Sequence, residues 1–369
     1  MRWLCAVLVM AAVVSSCARE RGEALPFGAS NATCASCHSQ ADDFERSAHA
    51  SAATSPVFVA LLPHVEEAWG TAARDRCVGC HAPSHVPSIE VPEPEGIACV
   101  SCHAAVGNRG SFDGRLVLDL GAPLDGPFAD PEETPAHTAE RRGFVSDAEA
   151  CLTCHDLRGP ELFVEPTGME HAEAVARLDA PSCATCHMPA MEAGPIAEGA
   201  SLDRPRRSHR VIGPTPPRDG DLAGYTADLR SLFAGRVTLE VLDEGDALNV
   251  RVSNVGMGHA LPTGVTFLRE LRVELTVRDA HGERTEVVMV LGDRSMRGEE
   301  EVALPTDADR VERRRVDPGE SSEARVVVDG VMHAEARLVF AAYRPALMAE
   351  LGLPDAPEVI VLATVLERP

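Results

Sequence analysis

The chain has 369 residues, with 34 basic and 57 acidic side chains and a formal net charge of −23. No lysine is present, so every basic side chain is arginine. A surface this acidic repels nucleic-acid phosphates, which excludes that class of partner. At 45% hydrophobic, with 27 Pro and 29 Gly, the chain is not a disordered acidic tail. Aromatics reach only 4%, so something other than Phe, Tyr and Trp is expected to fill part of the interior.

Residues 1–16 read as an export signal: one arginine, an apolar run to Val14, then Ser15 and Ser16 ahead of Cys17. The run is too short to span a bilayer comfortably. Val14-Ser-Ser-Cys17 resembles the bacterial lipobox, in which the cysteine is lipidated; ordinary signal cleavage nearby is the alternative. Both readings place the mature chain outside the cytoplasm. Lipidation at Cys17 adds a membrane anchor facing the periplasm or the cell surface. Residues 17–33 then serve as a polar tether.

Ten of the twelve cysteines fall into five copies of one pattern. They are Cys34-Ala-Ser-Cys37-His38, Cys77-Val-Gly-Cys80-His81, Cys99-Val-Ser-Cys102-His103, Cys151-Leu-Thr-Cys154-His155 and Cys183-Ala-Thr-Cys186-His187. This is the attachment signature of c-type haem. Two thiols add across the two vinyl groups of one porphyrin, and the adjacent His becomes the proximal iron ligand. A disulfide framework or zinc ribbons would not demand a His after every second Cys. The expectation is five covalent haems.

Residues 34–210 therefore read as a pentahaem domain of short helices and loops, with covalent porphyrins supplying much of its core. Helices are expected at 40–53, 57–72, 145–154 and 168–178. Residues 211–235 read as a Pro/Gly-rich link. From Arg236 the pattern changes to alternation of period two, giving strands at 236–242, 247–253, 268–278, 284–291, 310–316, 322–328, 334–342 and 357–366. Turn signals such as Asp243-Glu-Gly245 separate them. Residues 236–369 are thus expected to form an all-β immunoglobulin-like sandwich.

The sixth ligand of each iron decides between electron carrier and catalyst. Nine of the 14 His remain after the proximal five. His281 and His333 read as surface residues of the sandwich. His85, His64 and His171 are each open between ligand and ordinary side chain. His49, His137, His209 and His259 stand in more suggestive contexts. His49 follows the first motif by about a helix length, His137 precedes the fourth, and Ser208-His209 closes the haem region. His259 lies in the loop Asn254-Val-Gly-Met-Gly-His-Ala-Leu-Pro-Thr-Gly264, from which the sandwich could donate it to a haem; a satisfied loop histidine is the alternative.

The order Cys-x-x-Cys-His, Ser47-Ala-His-Ala50, Pro56-Val-Phe58, Cys77-Val-Gly-Cys-His-Ala-Pro83 and Glu95-Gly-Ile-Ala-Cys-Val-Ser-Cys-His103 resembles multihaem cytochromes c of the c-552/c-554 type. Cys183-Ala-Thr-Cys-His-Met-Pro189 and Gly258-His-Ala-Leu-Pro-Thr-Gly264 are similar to larger members with an added C-terminal β-domain. The resemblance implies electron shuttling with bis-His ligation, and His49, His137, His209 and His259 as distal ligands. Expected partners are redox proteins acting as electron donor and acceptor. An enzyme of the nitrite or hydroxylamine type, with one haem left open for substrate, is the alternative.

Overall fold

The computed structural model describes residues 30–83, 95–110, 115–134, 136–158, 164–217, 219–265 and 267–367. The signal, Cys17 and His85 lie outside these residues. Among the described residues no helix is long and apolar enough to cross a membrane. The chain divides into two compact units, one of Met1–Val59, Arg74–Cys154 and His187–Val211, the other of Ala60–Ala73, His155–Cys186 and Ile212–Pro369.

The first unit is built from short helices, as expected, joined by two-stranded ribbons where only loops were expected. The helix expected over 40–53 runs only from Gln40 to Glu45. The Ser47 hydroxyl takes the Ala50 amide at 3.2 Å, and such side-chain bonds compete with helix continuation. The chain then makes a single tight turn at Ala52–Thr54 and enters the helix Pro56–Trp69. Gly96 packs directly on this turn: a Cβ there would stand 2.6 Å from the Ala52 nitrogen and the His49 carbonyl. Only glycine permits that approach.

In the second unit, seven antiparallel strands form two sheets. We number them β1 (Val237–Asp243), β2 (Ala247–Asn254), β3 (Glu270–Asp279), β4 (Gly282–Leu291), β5 (Ser321–Val327), β6 (His333–Ala341) and β7 (Glu358–Glu367). One sheet has the order β5-β2-β1 and the other β4-β3-β6-β7. Alternation places Leu248, Val250 and Val252 of β2 and Leu271, Val273, Leu275 and Val277 of β3 in the core, as a half-buried strand requires. A small third sheet joins Arg294–Arg297 to Glu300–Val302 and Arg310–Glu312. The strand expected to reach residue 316 stops at Glu312, because Val316 bridges to Leu261 instead.

A helix, Leu222–Phe233, stands within the Pro/Gly-rich stretch 211–235. The Asp221 carboxylate caps it by accepting the Gly224 amide at 2.8 Å. Tyr225, Leu229 and Phe233 recur every fourth residue and enter the sandwich core. The architecture is a helical region bearing the cysteine motifs, followed by an antiparallel β-domain.

Candidate haem-binding site

Local helix geometry presents each motif. His81, His103, His155 and His187 are the last residues of helices Thr71–His81, Cys99–His103, Ala148–His155 and Cys183–His187. In the first motif the Cys34 carbonyl accepts the amides of Cys37 and His38 at 3.1 and 2.9 Å, continuing the turn that begins in the helix Asn31–Ala35. Residues i, i+3 and i+4 share one face of a helix, so both sulfurs and the imidazole of a motif point to the same side. Cys37 is disulfide-bonded, whereas the other nine motif cysteines form no disulfide. A sulfur cannot hold a disulfide and a thioether together, so attachment through Cys37 requires that bond to open.

The motifs of the first unit adjoin one another. The thiols of Cys34 and Cys99 are hydrogen-bond partners, which lowers the pKa of Cys34 and, with burial, raises that of Cys99. Cys80 and Cys154 are likewise partners, and this contact together with burial pushes Cys154 up. Burial pushes the Cys77 and Cys102 thiols up to about 11. Among the described residues no three His, Cys, Asp or Glu side chains gather into a metal-binding cluster.

The motif histidines are oriented through one ring nitrogen. Nδ1 of His38 bonds the Ile196 carbonyl at 2.8 Å, that of His81 the Ala52 carbonyl at 3.0 Å, and that of His103 the Asp125 carbonyl at 2.7 Å. His155 differs, since its Nδ1 meets the Glu165 carboxylate at 3.4 Å. With Nδ1 engaged as a donor, Nε2 is the nitrogen available to a metal. Phe58 also stacks on the His81 ring, with centroids 3.8 Å apart and planes 7° from parallel, fixing that ring's plane.

Two of the remaining histidines lie opposite motif histidines. His38 and His137 have ring centroids 6.0 Å apart and planes inclined by 28°; His103 and His209 stand at 6.4 Å and 20°. Imidazole nitrogens bind a metal at about 2 Å, so two rings ligating one ion from opposite sides have centroids roughly 6 Å apart. His137 and His209 also commit Nδ1 to carbonyls, those of Thr138 at 3.3 Å and Arg207 at 3.0 Å. Burial lowers the pKa of His103, and His209 and His38 add to it; burial and His38 likewise lower that of His137. Neutral imidazole is the form that ligates metal. The residues present therefore fit a haem held between two imidazoles at these two places.

Carboxylate clamps hold this arrangement. Asp125 accepts the amides of Arg142, Gly143 and Val145 at 2.7, 3.2 and 2.9 Å. Its own carbonyl orients His103. Burial acts to raise its pKa, but the three amides and the Arg142 charge hold it below the usual carboxylate range. Near the first motif, Glu95 accepts the Asn31 amide with both oxygens, at 3.0 and 3.1 Å. Asp43 receives the amides of His209 and Arg210 and the Ser208 hydroxyl, which fixes the segment bearing His209.

The second unit carries His155, His171 and His259. The hairpin that pairs Leu157–Arg158 with Val164–Glu165 returns Glu165 to His155. Burial acts to raise the Glu165 pKa, yet His155 and Thr167 outweigh it and hold the carboxyl low. The helix Thr167–Leu178 is anchored to the loop of residues 254–264. Nδ1 of His171 bonds the Gly258 carbonyl at 2.9 Å, and Glu170 accepts the Ala260 amide at 3.2 Å and the Thr263 hydroxyl. Glu170 and Asp293 both pair with the buried Arg315. Asn254 organises the loop from within, donating to the His259 and Val316 carbonyls and accepting the Met257 amide. His259 places Nδ1 on the Ala260 carbonyl at 2.9 Å.

His49 lies in the turn against Gly96, where its carbonyl accepts the Ile97 amide at 3.0 Å. His64 is half-buried on the helix Pro56–Trp69. Glu165, Asp125 and Glu170 have no signature in the sequence, since each acquires its role only from partners the fold delivers.

The family model described as cytochrome c554 and c-prime matches residues 33–104, which span the first three motifs. Among solved structures, a penta-haem cytochrome c552 from Thermochromatium tepidum shares the fold, with a TM-score of 0.67 and 21% identity, over 93% of this chain and 100% of that one. Among curated proteins none matches the chain. The motifs and the family match over the first three of them support covalent c-type haem and electron transfer in general, and the chain shares the fold of a penta-haem cytochrome c552.

Proposed function

We propose that this protein is an exported, lipid-anchored electron carrier with five haems. Each would be held through one cysteine pair, with His38, His81, His103, His155 and His187 as proximal ligands. Bound haem supplies a ferric/ferrous couple tuned by its axial ligands, burial and nearby hydrogen bonds. His137 and His209 serve as distal ligands opposite His38 and His103. His49 and His259 serve two further irons, and the fifth distal ligand comes from among His171, His85 and His64. Two imidazoles on one iron leave little to rearrange on electron transfer.

The observation that carries this reading is the separation of His38 from His137 and of His103 from His209, 6.0 and 6.4 Å between ring centroids, the distance expected of two imidazoles sharing one metal. The adjoining thiols of Cys34 with Cys99 and Cys80 with Cys154 support close spacing of the first haem with the third and of the second with the fourth. The Cys17 anchor rests on the sequence alone. The net charge of −23 favours a basic redox partner. Their encounter should weaken as salt shortens the Debye length to about 8 Å at physiological strength.

The test is electron paramagnetic resonance of the oxidised holoprotein alongside its intact mass. Five haem increments and only low-spin ferric signals are expected. A free-thiol chain without haem overturns the reading. A high-spin signal amounting to one iron in five would replace the pure carrier with an open-haem enzyme.

A further inference from the structure

We propose that Glu165 is a positioning residue that lowers the reduction potential of the haem ligated by His155. The inference rests on the proposed ligation of iron by His155 and concerns what lies behind that ligand. His38, His81 and His103 each give Nδ1 a main-chain carbonyl, at 2.7–3.0 Å. The Nδ1 of His155 instead faces a carboxylate, 3.4 Å from Oε1 of Glu165.

A carbonyl oxygen carries a partial charge, whereas a carboxylate carries a full one. The carboxylate draws the Nδ1 proton more strongly and leaves Nε2 the better electron donor. A stronger donor stabilises ferric over ferrous iron, so the potential falls. The Glu165 side chain is only 8% exposed, so solvent screens it little.

The carboxylate is held in place from the far side. The Thr167 hydroxyl donates to the same Oε1 at 2.6 Å, and the Thr167 amide donates to Oε2 at 3.3 Å. Thr167 contacts Thr263 at 2.8 Å, and Thr263 donates to Glu170, which is paired with Arg315. A continuous polar chain thus runs from behind His155 to the loop that bears His259. Thr167 also sets the strength of the effect. Its hydroxyl takes up part of the electron density of the oxygen that faces His155.

Two substitutions separate tuning from mere support. Glu165→Gln keeps the shape and an accepting oxygen but removes the charge. Thr167→Val keeps the shape but removes the competing hydroxyl. In redox titrations of the holoproteins, followed by electron paramagnetic resonance, the potentials move in opposite directions. Glu165→Gln raises one of the components, shifting its ferrous-to-ferric ratio about tenfold at fixed applied potential, or ~59 mV for one electron. Thr167→Val lowers that same component. A supporting role alone would move both the same way or neither, and either result overturns the inference. Peptide mass mapping first locates haem on Cys151 and Cys154. Its absence there would overturn the ligation on which the inference rests, whereas haem in place with unmoved potentials overturns the tuning role alone.

Discussion

Truncation of Asp125 tests the clamp that stands behind His103. The residue is 1% exposed, and its carboxylate receives three main-chain amides. Hydrogen bonds to a charged acceptor contribute roughly 1.5–3 kcal/mol each. The loop can recover part of that from water after truncation, so Asp125→Ala should cost about 3–4 kcal/mol of local stability. At about 1.4 kcal/mol per decade, amide exchange at Arg142, Gly143 and Val145 should accelerate by two to three decades. Asp125→Asn gives a finer result. Oδ1 serves Arg142 and Gly143 while Oδ2 serves Val145. An amide NH₂ in the Oδ2 position turns a donor towards a donor, so Val145 should lose most of its protection while the other two keep theirs. The pH dependence follows from the lowered native pKa of Asp125. Its contribution is complete above the unfolded value of about 3.9 and is lost as pH falls through the lower native value. The alanine variant's deficit should therefore shrink in strong acid, where the protonated carboxyl keeps an accepting oxygen but loses its charge. Hydrogen-exchange mass spectrometry of the holoprotein reads all of this. Unchanged protection at the three amides in Asp125→Ala would refute the clamp.

Three further substitutions probe other parts of the site. His137→Ala and His209→Ala should each convert one ferric iron from low to high spin, and the double variant two, counted by electron paramagnetic resonance; an unchanged spectrum would dissolve the pairings. Gly96→Ala drives a methyl group into the Ala52 nitrogen and His49 carbonyl, displacing the turn whose Ala52 carbonyl orients His81. Thermal unfolding should show a loss of about 2–4 kcal/mol. Arg315→Met leaves Glu170 and Asp293 buried without their shared cation. This should cost about 3–5 kcal/mol and free the loop that carries His259, both measurable by denaturant titration and amide exchange.

The sequence was most legible where chemistry or periodicity acts locally. A Cys-x-x-Cys-His unit carries its meaning in five adjacent residues. The strands β2 and β3 announce themselves by strict alternation, and their observed limits lie within two residues of those expected. The helix Leu222–Phe233 was hidden because prolines and glycines before it read as a link, although Tyr225, Leu229 and Phe233 already had helical spacing. The acceptors behind the motif histidines were illegible for a different reason. The Ile196 carbonyl that orients His38 is 158 residues away, and any residue type supplies a carbonyl. Glu165 is only ten residues from His155, yet nothing in a lone glutamate tells that a hairpin will turn it back onto the ring.

The two regions also differ in what holds them together, and this yields a prediction about the haem-free chain. In the second unit one large cluster, from Tyr225 through Leu248, Leu271 and Leu338 to Val361, fills the sandwich with aliphatic side chains. Around the third motif the buried cluster is Ala98, Val100 and Ala104, with Leu120 and Leu124 against it. Small side chains bury little apolar area, and at about 25 cal/mol per Å² such a cluster cannot offset the ordering of its loops. Covalent porphyrins would supply the missing apolar surface, coupling attachment to folding as metal does in small metalloproteins. Replacing all ten motif cysteines by alanine should therefore leave the β-domain folded and the first unit without stable structure. Amide exchange should stay slow in β2, β3 and β6 and become fast throughout residues 30–59 and 95–110. Slow exchange across the first unit of such a haem-free chain would show that the polypeptide packs by itself, and its few aromatic residues would then lack a physical cause.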